Sequence, residues 1–249
     1  MAKNKLQKFA DMKAWTHVYE FAQSDYAATE HPLKGHWAER AFSNDRPLVL
    51  ELGCGKGEYT VGLAGLYPDK NFIGIDIKGA RMWTGARIAR EQQLDNVAFL
   101  RTHIEFLPQF FAPGEVSEIW LTFPDPQMKK TRKRLTSTRF MQDYARFLRP
   151  GACIHLKTDS QFMFRYTLAM IAANALPLQF QTFNLYGEGV LQQAGVPNIQ
   201  TFYEKQWLDR GIDIKYLRFA LNPDQSWQEP QVDIEPDEYR SFGRNARVQ

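Results

Sequence analysis

The chain has 249 residues, with 31 Lys and Arg against 28 Asp and Glu and an apolar fraction of 44%. These values predict an ordinary soluble globular protein with a substantial core, and a net charge of +3 is too small to imply a polyanionic partner by itself. No apolar window reaches bilayer length, and Cys54 and Cys153 lie far apart without metal-ligand spacing, which excludes a spanning helix, a disulfide framework and a structural zinc.

The opening stretch, MAKNKLQKFADMK, is basic but has no apolar run behind it. It reads as a basic, helical extension (residues 1–45) rather than a secretory signal, and a cytoplasmic, reducing setting is expected. From residue 47, short apolar runs alternate with helical patterns. PLVLELG (47–53), NFIGIDI (71–77), VAFLRT (97–102), SEIWLTF (117–123) and GACIHLKTD (151–159) predict strands buried on both faces. Between them EYTVGLAGLY and GARMWTGARIAREQQ predict helices. In STRFMQDYARFL, the residues Phe140, Met141, Tyr144, Phe147 and Leu148 share one helical face, and Pro150-Gly151 is expected to stop that helix.

Strand alternating with helix predicts a parallel sheet with right-handed crossovers, an open doubly wound α/β fold. LQFQTFNLY and IDIKYLRFAL are spaced as antiparallel strands that close it, making seven strands in a domain over 46–221. The last stretch, 222–249, is polar and proline-bearing and is expected to form a tail or docking arm.

Ligands of such folds collect at the carboxyl ends of the strands. The first strand ends in Glu51-Leu52-Gly53-Cys54-Gly55-Lys56-Gly57-Glu58, where glycine allows a tight turn and close backbone approach. A dinucleotide fingerprint needs a small residue where Glu58 stands, and glutamate at a helix start repels a pyrophosphate, so a dehydrogenase fits poorly. An E-x-G-x-G-x-G loop suits a ligand with a cationic centre and is characteristic of methyltransferases that use S-adenosylmethionine. Asp76 ends the second strand about 20 residues on, where an acid bonds ribose hydroxyls.

The fourth strand ends in TFPDPQMKKTRKRL. Asp125 stands between two prolines that restrict its backbone, and Lys129, Lys130, Arg132, Lys133 and Arg134 follow directly. Alone, Pro-Asp-Pro is a turn and a cationic run is a solvated face. Together they suggest a methyl acceptor that is part of a polyanion, bound with steep salt dependence.

ELGCGKGE, FIGIDIKGAR, LTFPDPQMKKTRKRL, HLKTD and TFYEKQWLDRG occur in this order from Glu51 to residue 211. The chain thereby resembles the tRNA (guanine-N7)-methyltransferase family, class I enzymes of Rossmann-like fold. They transfer a methyl group from S-adenosylmethionine to guanine 46 in the tRNA variable loop. The resemblance implies that Glu51, Gly53, Gly55, Gly57, Asp76 and Thr102 bind the cofactor. It puts Asp125 at the methyl-transfer site and against the cofactor. Lys129, Asp159, Thr201 and Glu204 are implied as substrate contacts, with Lys130, Arg132, Lys133 and Arg134 on the RNA. tRNA is the implied partner of a monomer or homodimer, with no metal and no membrane. The chain departs from the family in Gln127 and Met128, where a tryptophan and a basic or histidine residue are usual, and in Thr102, where many members carry an acid.

The lysines Lys3, Lys5, Lys8 and Lys13 are a second, weaker source of RNA affinity. His103 and His155 read as structural, and His17, His31 and His36 form no ligand cluster. The competing readings are a methyltransferase of another RNA, a protein or a small molecule, and an inactive RNA-binding relative.

Overall fold

The computed structural model describes residues 2–21, 31–221 and 226–238. Its centre is an eight-stranded sheet in the order β1-β4-β3-β2-β5-β6-β8-β7. These strands are β1 (Val18–Glu20), β2 (Leu48–Leu52), β3 (Asn71–Ile75), β4 (Val97–Arg101), β5 (Val116–Thr122), β6 (Leu148–Thr158), β7 (Leu178–Thr182) and β8 (Lys215–Ala220). All pairs from β1 to β6 are parallel, while β6–β8 and β7–β8 are antiparallel. Every residue of β2 and β3 is buried, as strands covered on both faces require.

The helices are α1 (Ala2–Ala14), α2 (Glu58–Leu66), α3 (Gly79–Glu91), α4 (Thr138–Ala145), α5 (Gln161–Ala173), α6 (Val190–Ala194) and α7 (Phe202–Leu208). They divide the core into two apolar layers. One joins Leu50, Ile73, Ile119 and Ile154 to Phe140 and Tyr144 of α4 and Phe164 of α5. The other joins Val49, Phe72 and Phe99 to Tyr59 and Leu63 of α2 and Met82 and Ala86 of α3. Among the described residues no helix is long and apolar enough to cross a membrane.

The sheet has one strand more than the seven expected. The addition is β1, whose three residues pair with Phe99, Leu100 and Arg101 of β4. Three residues carry no legible alternation, so the pairing is decided by tertiary contact. The other difference lies at Pro150-Gly151. α4 already ends at Ala145, and Phe147 O accepts from Val116 N–H at 3.1 Å. β6 therefore begins at Leu148, and Pro150-Gly151 lies within it rather than stopping the helix. The register jumps there: Val116 faces Leu148, but Glu118 faces Cys153. The extra residues loop out with Gly151 at φ 74°, a bulge that suits a residue without Cβ beside one without N–H.

Strand order reverses between β2 and β5, since β3 and β4 lie to one side of β2 and β5 and β6 to the other. This switch point opens a crevice at the carboxyl ends of the strands. Glu51 pairs with Trp120 across it, so the Gly53 loop and the Asp125 turn leave the sheet side by side.

Candidate active site

The loop after β2 is built by backbone bonds and three left-handed glycines. Gly53 and Cys54 both donate their N–H groups to Ile75 O, at 2.8 and 3.0 Å. Gly55 N–H donates to Asp76 Oδ2 at 2.9 Å, and the other oxygen of Asp76 accepts from Lys78 N–H at 2.8 Å. Asp76 thus shapes the loop after β2 as well as its own turn. Gly53 and Gly57 have φ of 80° and 73°. Their surroundings differ: a Cβ at Gly57 would lie 2.6 Å from the Phe99 ring, whereas one at Gly53 meets nothing within 4 Å. Gly53 faces open space. A cleft of about 210 Å³ lies there, with Gly53, Asp76, Ile77, Thr102, Ile104, Gln127 and Lys133 among its lining residues.

Glu51 is 3% exposed and accepts hydrogen bonds from the hydroxyls of Thr60 and Thr122. Burial raises its pKa to about 7, against the pull of both hydroxyls and with a further push from the Asp76 charge. A carboxyl held at that value gains by meeting a positive ligand. Open space at Gly53, a raised acid at Glu51 and a second acid at Asp76 fit a ligand that joins a cationic centre to a ribose.

Asp125 is exposed and accepts from Gln127 N–H at 3.0 Å. Phe123 and Gln127 on either side have φ of 52° and 47°, a conformation sparsely populated by residues with a Cβ. Such outliers cluster at functional sites. Lys129, Lys130, Arg132 and Lys133 are exposed along the same loop. Arg134 departs from the expectation of an RNA contact. It is 7% exposed, donates to Gln127 O at 3.3 Å and Met128 O at 2.9 Å, and stacks on Tyr166 and Phe162 at 4.4 and 4.7 Å from their centroids. Arg134 holds the loop together from inside.

Thr201 and Glu204 also serve local structure. They form a capping box at the start of α7, with Thr201 Oγ1 accepting from Glu204 N–H at 3.3 Å and Glu204 accepting from Thr201 N–H at 3.2 Å. Glu204 is fully buried and pairs at 2.8 Å with Lys157, a fully buried lysine in β6. Lys157 also donates to Ile199 O at 2.9 Å and the Tyr186 hydroxyl at 3.1 Å. Burial lowers the lysine's pKa, opposed by the Glu204 and Glu51 charges. α7 is joined to the glycine loop by Glu58, which accepts from Phe202 N–H at 3.0 Å, and by Lys56, whose ammonium lies 3.8 Å from the Phe202 ring centroid. The two residues therefore fix a segment that stands against the glycine loop. Asp159 is fully buried just beyond β6, where its carbonyl accepts from Lys215 Nζ at 3.0 Å.

Lys157 was not among the candidates read from the sequence. Its signal was a lysine within the strand run GACIHLKTD, expected to be buried on both faces, because a buried ammonium requires a partner. His155 two residues earlier stacks on Trp120 at 3.9 Å, contacts the Tyr216 hydroxyl at 2.8 Å and is lowered in pKa by burial. It is a core histidine. No cluster of three metal-ligating side chains occurs among the described residues, and both cysteines are free.

A glycine loop between two acids at the switch point of a doubly wound sheet, with an aspartate turn across the crevice, defines a Rossmann-like methyltransferase. The family described as "Putative methyltransferase" matches residues 45–217. The chain is 57% identical to a tRNA (guanine-N(7)-)-methyltransferase of Bacteroides thetaiotaomicron, over 99% of this chain and 97% of that protein. It is 54% identical to the protein of the same name from Porphyromonas gingivalis, over 96% and 98%. The chain belongs to the tRNA (guanine-N7-)-methyltransferase family. In fold it is similar to the crystal structure of the 16S rRNA methyltransferase KamB, with a TM-score of 0.58 at 20% identity over 74% of this chain and 92% of that one.

Proposed function

We propose that this protein methylates N7 of guanine 46 in the variable loop of tRNA, with S-adenosylmethionine as the methyl donor, in the cytoplasm. The observation that carries the reading is the crevice itself. The cleft at the open glycine and Asp76 also takes in Gln127 and Lys133, which belong to the loop of the exposed Asp125 and its four exposed cations.

The donor supplies an electrophilic methyl group when bound. Glu51, Gly53, Asp76 and Thr102 would hold it. Guanine N7 has an in-plane lone pair and no proton, so the chain has no general base to provide. Its tasks are alignment and charge stabilisation. Positive charge grows on the purine as N7 is alkylated. Asp125, exposed and oriented by Gln127 N–H, is the carboxylate that stabilises this charge or accepts from the guanine N1–H and N2–H2 edge. Thr201 and Glu204 serve the guanine site by holding the α7 segment in place, and Asp159 just beyond β6 is a further residue of that site. Lys129, Lys130, Arg132 and Lys133 bind phosphates and contribute affinity without reading sequence.

The test is methyl transfer from labelled S-adenosylmethionine to unmodified tRNA, mapped by N7-selective chain cleavage. A transcript with guanine 46 replaced is assayed beside it. Cleavage at that guanine alone is the expected result, and methylation of the replaced transcript at equal rate would overturn the site assignment. Asp125→Asn should lower turnover at least about a hundredfold with the fold intact.

A further inference from the structure

Residues 226–237 form no regular element, yet they are anchored on the helices behind the Asp125 loop. Glu229 accepts from the Thr138 hydroxyl at 2.6 Å at the start of α4, and from the Tyr166 hydroxyl of α5. Asp237 is 5% exposed and accepts from Phe162 N–H at 3.0 Å and from the Ser160 hydroxyl. Gln228 and Asn174 exchange hydrogen bonds at 2.7 and 2.8 Å.

Both anchors lead to the aspartate turn. Tyr166, held by Glu229, carries the Arg134 guanidinium on its ring at 4.4 Å. Arg134 binds the carbonyls of Gln127 and Met128, and Gln127 N–H binds Asp125. By the second route, Asp237 N–H points at Met128 Sδ at 3.3 Å. The turn these contacts reach is the one with left-handed backbone at Phe123 and Gln127. A non-glycine residue keeps that conformation only where its surroundings over-determine it. Arg134, which the arm reaches through Tyr166, binds the carbonyls of both Gln127 and Met128, beside Lys130 N–H, which also donates to Gln127 O at 2.9 Å.

We propose that the C-terminal arm is part of the catalytic apparatus. Glu229, acting through Tyr166 and Arg134, and Asp237, acting on Met128, are positioning residues that set the direction of the Asp125 carboxylate. The inference rests on the assignment of Asp125 made above. Loss of the arm's grip should let the turn relax, leaving cofactor and tRNA binding in place while the carboxylate is misaligned with the reacting base.

Glu229→Gln and Tyr166→Phe, singly and together in the full chain, test this. The phenylalanine variant keeps the ring under Arg134 and removes only the hydroxyl, so it should fold. Each single variant should lower kcat about tenfold, because small misplacements cost rate steeply. KM for tRNA and the dissociation constant for S-adenosylmethionine should stay within about twofold, the pattern of an interaction that matters chiefly in the transition state. The double variant should be no worse than the more severe single one, since both cut the same connection. Deuterium uptake in peptides covering 125–134 should rise in all three. Unchanged kcat, or a loss of kcat with unchanged uptake at 125–134, would overturn the proposal. Asp125→Asn, run in parallel, separates the two assignments. Full activity in that variant would overturn the role of Asp125, whereas an inactive Asp125→Asn beside a fully active Glu229→Gln would overturn only the role of the arm.

Discussion

Lys157 and Glu204 face each other at 2.8 Å with neither side chain exposed to solvent. One lies in β6 and the other on α7, so the pair ties the segment beside the glycine loop to the core. Such a pair adds little to stability compared with apolar residues of similar size, but breaking it leaves one charge buried alone. Lys157→Met should therefore destabilise the fold by about 3–5 kcal/mol. The double variant Lys157→Met with Glu204→Leu should recover much of that loss while still impairing methylation, because α7 loses its cap as well as its anchor. Urea denaturation of the three proteins provides the measurement, and a double variant as unstable as the single one would contradict the account.

The glycines at 53 and 57 should separate ligand binding from folding. Gly57→Ala meets both a left-handed φ and a Cβ placed 2.6 Å from Phe99. Its stability should fall by about 2–5 kcal/mol from backbone strain and overpacking together. Gly53→Ala carries the backbone cost alone, about 1–2 kcal/mol, but its methyl group projects into the cleft. Calorimetric titration with S-adenosylmethionine should show the larger loss of affinity, relative to its loss of stability, in Gly53→Ala.

Glu51 has a folded pKa of about 7 against an ordinary 4.5. The group binds its proton more tightly folded than unfolded. Its contribution to stability is thus fully present below pH 4.5 and is lost as pH rises through about 7. The loss amounts to about 3 kcal/mol, and Glu51→Gln should abolish that part of the pH dependence. A cationic ligand prefers the ionised carboxyl, so affinity for S-adenosylmethionine should increase as pH rises through about 7 in the native protein. In Glu51→Gln it should be flat. A pH-independent affinity in the native chain would place the cationic centre elsewhere.

Salt should distinguish the members of the cationic run. Lys130, Arg132 and Lys133 are exposed, whereas Arg134 is buried against Tyr166. Replacing any one of the first three by Ala should lessen the slope of log K for tRNA against log salt by about 0.7–0.9. Arg134→Ala should leave that slope nearly unchanged and lower turnover instead, because the guanidinium holds the turn rather than the phosphates.

The strands and helices that build the crevice were legible because their signals are local. β2 through β5 and the second half of β6 are buried on both faces, so their apolar runs stand out, and the intervening helices show their period without reference to any partner. The glycine loop, Asp76 and the Pro-Asp-Pro turn were legible too, since positive φ and restricted backbone demand particular residue types. Charge was different. KKTRKR reads as five equivalent cations, and only packing shows that Arg134 turns inward onto two aromatic rings. For TFYE the family resemblance implies substrate contacts, and only the approach of Lys157 from β6 shows that Glu204 already has a partner. The polar stretch after Leu221 has no periodicity at all, yet Glu229 and Asp237 are bound within it. Local pattern determined which elements form and where the backbone must bend. The tertiary structure alone decided which charged groups face solvent and which face each other, because the free energy of a buried charge depends on partners far away in the chain.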